Sequence, residues 1–185
     1  ECRTACAQSE LEDADIESTF NYIKFKISGS DDYIVIATTR PEMLCGVVCV
    51  FINPEDKKNA HLLNKKLIVP YFNYEVPVLA DELVSMDKGS GVVMCCTFGD
   101  TVDKEWQRKH NLPIKKCFTD YGTMTDLAGE FKGLKIIDAR KSIIEKLKEN
   151  NLLIKQENIV HSVSTHDRCS TPVEISVKPQ WFIDV

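Results

Sequence analysis

The chain has 185 residues, of which 43% are hydrophobic and 28% charged, proportions that suit one globular unit with a sizeable core and exclude a disordered polymer. Its apolar runs, at residues 43–52 and 91–96, fall well short of the ~20 residues that span a bilayer, so no membrane is expected as a partner. The net charge of -5 argues against a surface that wraps nucleic acid on all sides and leaves room for local patches such as Lys57 with Lys58, Lys65 with Lys66, Lys115 with Lys116 and Arg140 with Lys141.

The opening stretch ECRTACAQSELED has no initiating Met, no basic segment and no apolar segment of a secretory leader, and is expected to be a cut inside a longer chain. Residues 20–27 alternate polar and apolar side chains, the period of a half-buried strand. GSDD then makes a turn into a second strand at 33–39. Residues 47–52 are β-branched and apolar, a third strand, and Asn53-Pro54-Glu55 after them reads as the start of a helix running to about Lys66. The short segments 67–70 and 76–79 are interrupted by prolines and suit edge strands. Gly89 to Gly91 turns the chain into the apolar strand 92–96. A helix follows at 101–110, with Val102 and Trp106 on one face and its end before Pro113. Residues 138–150 predict a helix capped by Asp138, with Ile143, Ile144 and Leu147 at helical spacing and an Asn-Asn end. Strands are expected again at 152–161 and 173–177. Strands outnumber helices, which points to an α/β or α+β domain built on a β-barrel or curved sheet.

Two places concentrate useful chemistry. In FGDTVDKEW, residues 98–106, Asp100 and Asp103 stand three apart where a strand passes into a helix. One reading makes Asp100 the helix cap and Asp103 a first-turn acid favoured by the helix dipole. The other places both carboxylates on one helix face, ~5–6 Å apart, to hold an ammonium or order a water. In ATTRPE, residues 37–42, Thr38, Thr39 and Arg40 offer hydrogen-bonding groups for a sugar hydroxyl, an ester carbonyl or a phosphate. They equally suit a strand end with Arg40 in a surface ion pair. His166 and Cys169 form a lone HxxC without the second ligand pair of a structural zinc site, so no metal is expected. Neither a P-loop nor GxGxxG is present. Eight cysteines in a chain this long and apolar read as cytosolic thiols, and Cys45 and Cys49, like Cys2 and Cys6, as packing residues.

Taken together, ATTRPE, GSGVVM at 89–94, FGDTVDKEW with RKHNLP after it, and the tail HDRCSTPVEISVKPQWFIDV resemble the inserted editing domain of class I aminoacyl-tRNA synthetases. ECRTACAQSELED, CTFGDTVDKEW and RCSTPVEI are most similar to the valyl branch in its archaeal form. The isoleucyl branch is the nearest rival, although its usual tail carries a Trp near the Cys that His166-Asp167-Arg168 lacks. The resemblance implies that residues 1–185 form one β-barrel-rich α/β (α+β) domain with peripheral helices, inserted in a Rossmann catalytic body. It implies hydrolysis of a mischarged aminoacyl-tRNA, threonyl-tRNA in a valine system. The alternatives are valyl-tRNA in an isoleucine system, or a non-catalytic module that binds an RNA end or an amino acid. The implied partners are the 3′ end of that tRNA and the catalytic body of the same polypeptide, in the cytoplasm, with no cofactor. Residue by residue, Asp103 matches the acid that holds the substrate's α-ammonium, and Asp100 a neighbouring acid facing the side-chain hydroxyl or water. Thr38, Thr39 and Arg40 match the segment that lines the pocket and meets the terminal adenosine. Met94, Cys96, Gly99 and Met43 depart from the common bacterial valyl pattern, which has Lys, Thr, His and Thr there, and no contact is assigned to Met94 or Cys96.

Overall fold

A computed structural model describes residues 6–87, 89–177 and 181. Cys2 and the outer ends of the two terminal motifs lie outside the described residues. Seven strands form one sheet: β1 (Leu11–Ile27), β2 (Tyr33–Thr38), β3 (Val47–Ile52), β4 (Lys66–Ile68), β5 (Glu75–Ala80), β6 (Val92–Cys96) and β7 (Leu153–His166). Among the described residues two α-helices accompany them, α1 (Thr101–His110) and α2 (Ile136–Glu149). The order across the sheet is β2-β1-β4-β5-β3-β6, with β7 on β1, and β2 and β6 at the two ends of that path approach each other. The sheet is therefore curled into a half-barrel, as the strand-rich sequence predicts.

The inner half of β1 shows why it faces the core: Asn21, Ile23, Phe25 and Ile27 are buried and alternate with more exposed Tyr22, Lys24 and Lys26. Its outer half pairs with β7 through Leu11↔His166 to Phe20↔Glu157 and has little buried surface. Hydrophobic alternation fades there, so β1 and β7 run beyond the predicted 20–27 and 152–161. β3 is buried along its whole length, parallel to β5 and antiparallel to β6. Val47, Val50 and Ile52 enter the main core with Ile36, Leu44 and Val78, against the Ala139–Ile143–Leu147 stripe of α2. Val48, Cys49 and Phe51 enter a smaller cluster under α1, where the Phe51 and Trp106 ring centroids are 4.6 Å apart. The buried thiols of Cys45, Cys49, Cys95, Cys96 and Cys117 belong to these two clusters, as packing residues do.

Four expectations are corrected. Residues 53–66 hold only a 3-10 turn at Ala60–Leu62, because side chains there capture the backbone donors a helix needs. Asn53 Oδ1 accepts from Glu55 N at 2.9 Å, and Asp56 Oδ1 from Lys58 N at 3.0 Å. β4 and β5 are interior strands despite Pro77, since the flanking Val78 donates to Lys65 O at 2.9 Å and accepts from Asn64 N at 3.2 Å. α2 starts two residues before Asp138, with Lys135 at the cap position. Lys135 bridges Thr123 and the Ile136 N–H finds Gly122 O at 3.3 Å, so no capping side chain is required. Residues 173–177 form no strand. After β7 the chain turns back through a single bridge, Thr165↔Pro172, and Val173 N donates to Ser164 O at 3.0 Å.

Candidate active site

β6 leaves the sheet at Cys96, and the chain crosses Thr97 and Phe98 to reach Gly99 and the start of α1. Asp100, with extended backbone, is the N-cap: its Oδ1 accepts from Asp103 N at 3.0 Å. Asp103 reaches back, its Oδ2 accepting from Gly99 N at 2.6 Å and from Asp100 N at 3.1 Å. This reciprocal capping box satisfies donors that a helix N-terminus otherwise leaves orphaned. Asp100 is exposed, whereas Asp103 is only 5% exposed. Burial, and next the neighbouring Asp100 charge, push the Asp103 carboxyl up to about 6, against the opposing pull of the Cys95 thiol and the Gly99 and Asp100 N–H groups.

The ATTRPE segment closes on the same point from the other side. β2 ends at Thr38, which is buried, and its Oγ1 accepts from Arg40 N at 3.0 Å. Thr39 is half-buried between them. The Arg40 side chain then makes three contacts: Nη1 donates to Gly99 O at 3.1 Å, Nε to Glu42 Oε1 at 3.2 Å, and Nη2 to Glu174 Oε2 at 2.7 Å. Burial works against the guanidinium's charge, but the carboxylates of Glu174 and Glu42 outweigh it and hold the group above its ordinary range. Arg40 and Asp103 thus grip the same residue, Gly99, one by its carbonyl and one by its N–H. A shallow cavity of about 260 Å³ lies on the outward side of α1, lined among others by Phe98, Lys104, Arg108, Ile114 and Ile175.

The family profile described as "Leucyl-tRNA synthetase, editing domain" matches residues 52–148, more than half of the chain. The chain belongs to this editing-domain family, one inserted in class I synthetases. Valine–tRNA ligases are similar along almost all of it. The identity is 46% over 184 residues for Methanocaldococcus jannaschii and 50% over 182 residues for Rickettsia rickettsii, matching 100% and 97% of this chain. The chain spans about a fifth of the length of those relatives, 21% and 22%. Among solved structures, the ternary complex of Agrobacterium radiobacter K84 agnB2 LeuRS with tRNA and LeuAMS shares the fold, with a TM-score of 0.58 at 19% identity over 80% of this chain and 20% of that one.

Within this editing domain the structure brings the segment of Thr38, Thr39 and Arg40 against the turn that carries Asp100 and Asp103, with Gly99 as the point of contact. Two residues that sequence reasoning missed, Glu42 and Glu174, join them through Arg40. Glu42 is fully buried and accepts from Arg140 Nε at 2.8 Å and Nη2 at 2.7 Å besides Arg40. A signal existed for it, because Glu42 stands among Pro41, Met43 and Leu44, where only a paired carboxylate is tolerated. Glu174 lies in the RCSTPVEI motif, yet nothing local names Arg40 as its partner 134 residues away. Among the described residues no group of three His, Cys, Asp or Glu side chains could hold a metal; within HxxC, His166 Nδ1 and Cys169 Sγ lie 3.2 Å apart, and Cys169 Sγ also donates to Thr171 Oγ1 at 3.3 Å.

Proposed function

We propose that this domain hydrolyses the ester of threonyl-tRNA mischarged in a valine system. A hydrophobic valine pocket rejects threonine, its hydroxyl isostere, by only ~100-fold, so a second site must remove what passes. That site selects in the opposite sense, by hydrogen-bonding the hydroxyl that valine lacks. In the reaction the oxygen of water adds to the acyl carbonyl carbon and the ester C–O bond to the terminal ribose breaks. The ribose oxygen takes a proton and threonine leaves as its carboxylate. Asp103 holds the α-ammonium, Asp100 faces the side-chain hydroxyl or the water, and Thr38, Thr39 and Arg40 receive the terminal adenosine. Positioning of ester and water supplies most of the rate. The partners are the 3′ end of the tRNA and the catalytic body of the same polypeptide, and the setting is the cytoplasm.

The observation that supports this reading is the double hold on Gly99, which unites the two segments that sequence reasoning singled out. The test is Asp103→Asn in the full-length enzyme, followed as release of labelled threonine from threonyl-tRNA. Loss of a charged contact of this kind lowers the rate by roughly 10- to 100-fold. Full activity in the variant overturns the assignment. Faster release of valine from mischarged isoleucine tRNA than of threonine from valine tRNA overturns the choice of substrate.

A further inference from the structure

The backbone of Gly99 is pinned at both ends. Its N–H is shared between Cys96 O at 2.6 Å and Asp103 Oδ2 at 2.6 Å, and its carbonyl accepts from Arg40 at 3.1 Å. Its φ lies outside the left-handed region, so glycine is not needed there for backbone freedom. Space is what it provides. A Cβ on residue 99 would stand 2.8 Å from Asp103 Oδ2, but an ordinary 3.5 Å from Cys96 O and 3.8 Å from Met43 Cε. With the backbone held, the group that yields is the Asp103 carboxylate, at the end of a side chain.

That carboxylate is 5% exposed, and its Oδ2 is engaged by the Gly99 and Asp100 N–H groups at the start of its own helix. We propose that Gly99 is a positioning residue of the editing site: having no Cβ, it lets Asp103 rest in a self-capped position from which the α-ammonium of the aminoacyl ester must draw it. The inference rests on the ammonium-holding role given to Asp103 above. The Gly99 and Asp100 N–H groups and the Cys95 thiol compete with the ammonium for one carboxylate, so the apparent KM is raised by the inverse of the open fraction. The other charged or titratable groups facing Asp103 are Asp100 on its own helix, Cys95 and Cys96 from β6, and Arg40 across Gly99.

Gly99→Ala in the full-length enzyme removes the resting position without touching a group that contacts substrate. It is expected to lower KM for threonyl-tRNA roughly ten-fold, the effect falling on KM and not on kcat. An unchanged or raised KM overturns the proposal. A second measurement needs no substitution. Adding 3′-threonylamino-3′-deoxyadenosine, with an amide in place of the ester, speeds hydrogen exchange at the Asp100 amide as its bond to Asp103 opens. An Asp100 amide that stays equally or better protected overturns the proposal even where the alanine variant fails to fold. Failure of the underlying reading looks different, as full deacylation by Asp103→Asn.

Discussion

Burial sets stability and activity against each other at Asp103. A carboxylic acid titrates near 3.9 in an unfolded chain and near 6 in the fold, so between these values the folded state holds the extra proton. Stability contributed by this group is complete below pH ~4 and is lost as pH rises to about 6, by an amount on the order of 2 kcal/mol. On the proposed role of Asp103, activity is expected to move the other way, because only the ionised form holds an ammonium, and deacylation is expected to rise through pH 6. Urea unfolding of the isolated chain between pH 4 and 6.5 is expected to show this decline, and Asp103→Asn to remove it. Equal pH dependence in the two proteins contradicts the assignment. The acid pair itself was legible from its spacing, and the cap role of Asp100 with it. Which way Asp103 points was not, since that depends on the missing Cβ at Gly99 and on Arg40 arriving from a segment 59 residues away.

The candidate site is assembled by elements far apart in the chain, and Glu42 joins several of them. From the 3-10 turn Pro41–Gly46 it receives Arg140 of α2 through two bonds and Arg40 from the end of β2, and Arg40 extends the chain of contacts to Glu174 after β7. Removing a fully buried carboxylate leaves two cations facing each other with no counter-charge between them. Glu42→Ala is expected to destabilise by about 2–3 kcal/mol, toward the low end for a broken buried pair because both arginines keep some solvent contact. A lowered urea midpoint with an unchanged slope is the expected result, and deacylation falls as Arg40 loses its orientation. Such networks escape sequence reasoning, whereas β3, β6 and α1 did not. Their apolar runs and the paired cap residues act over a few positions. The missed elements fail for equally local reasons: the Asn53 and Asp56 side chains divert a promising helix start into turns. α2 begins without its expected Asp138 cap because the incoming strand-like segment already satisfies Ile136.

For the molecule as a whole, curling the sheet brings the two candidate motifs together. β2 and β6 are the end strands of the path β2-β1-β4-β5-β3-β6, and their C-terminal ends carry Thr38 to Arg40 and Gly99 to Asp103. In a flat sheet those ends would stand five strand spacings apart, roughly 24 Å. In the half-barrel Arg40 touches Gly99 at 3.1 Å. Lys104 and Arg108, one turn apart on α1, line a cavity together with Phe98. On a chain whose net charge is -5, a tRNA end has few cations to meet, and weak binding is expected. If two or three phosphates are neutralised, the affinity of the isolated chain for a tRNA acceptor minihelix falls roughly ten-fold between 50 and 200 mM salt, from a slope of about -0.7 per phosphate. Filter binding across that range measures it. Tight, salt-independent binding would mean that stacking and hydrogen bonds outweigh charge, and the acidic balance would then say little about how this domain meets RNA.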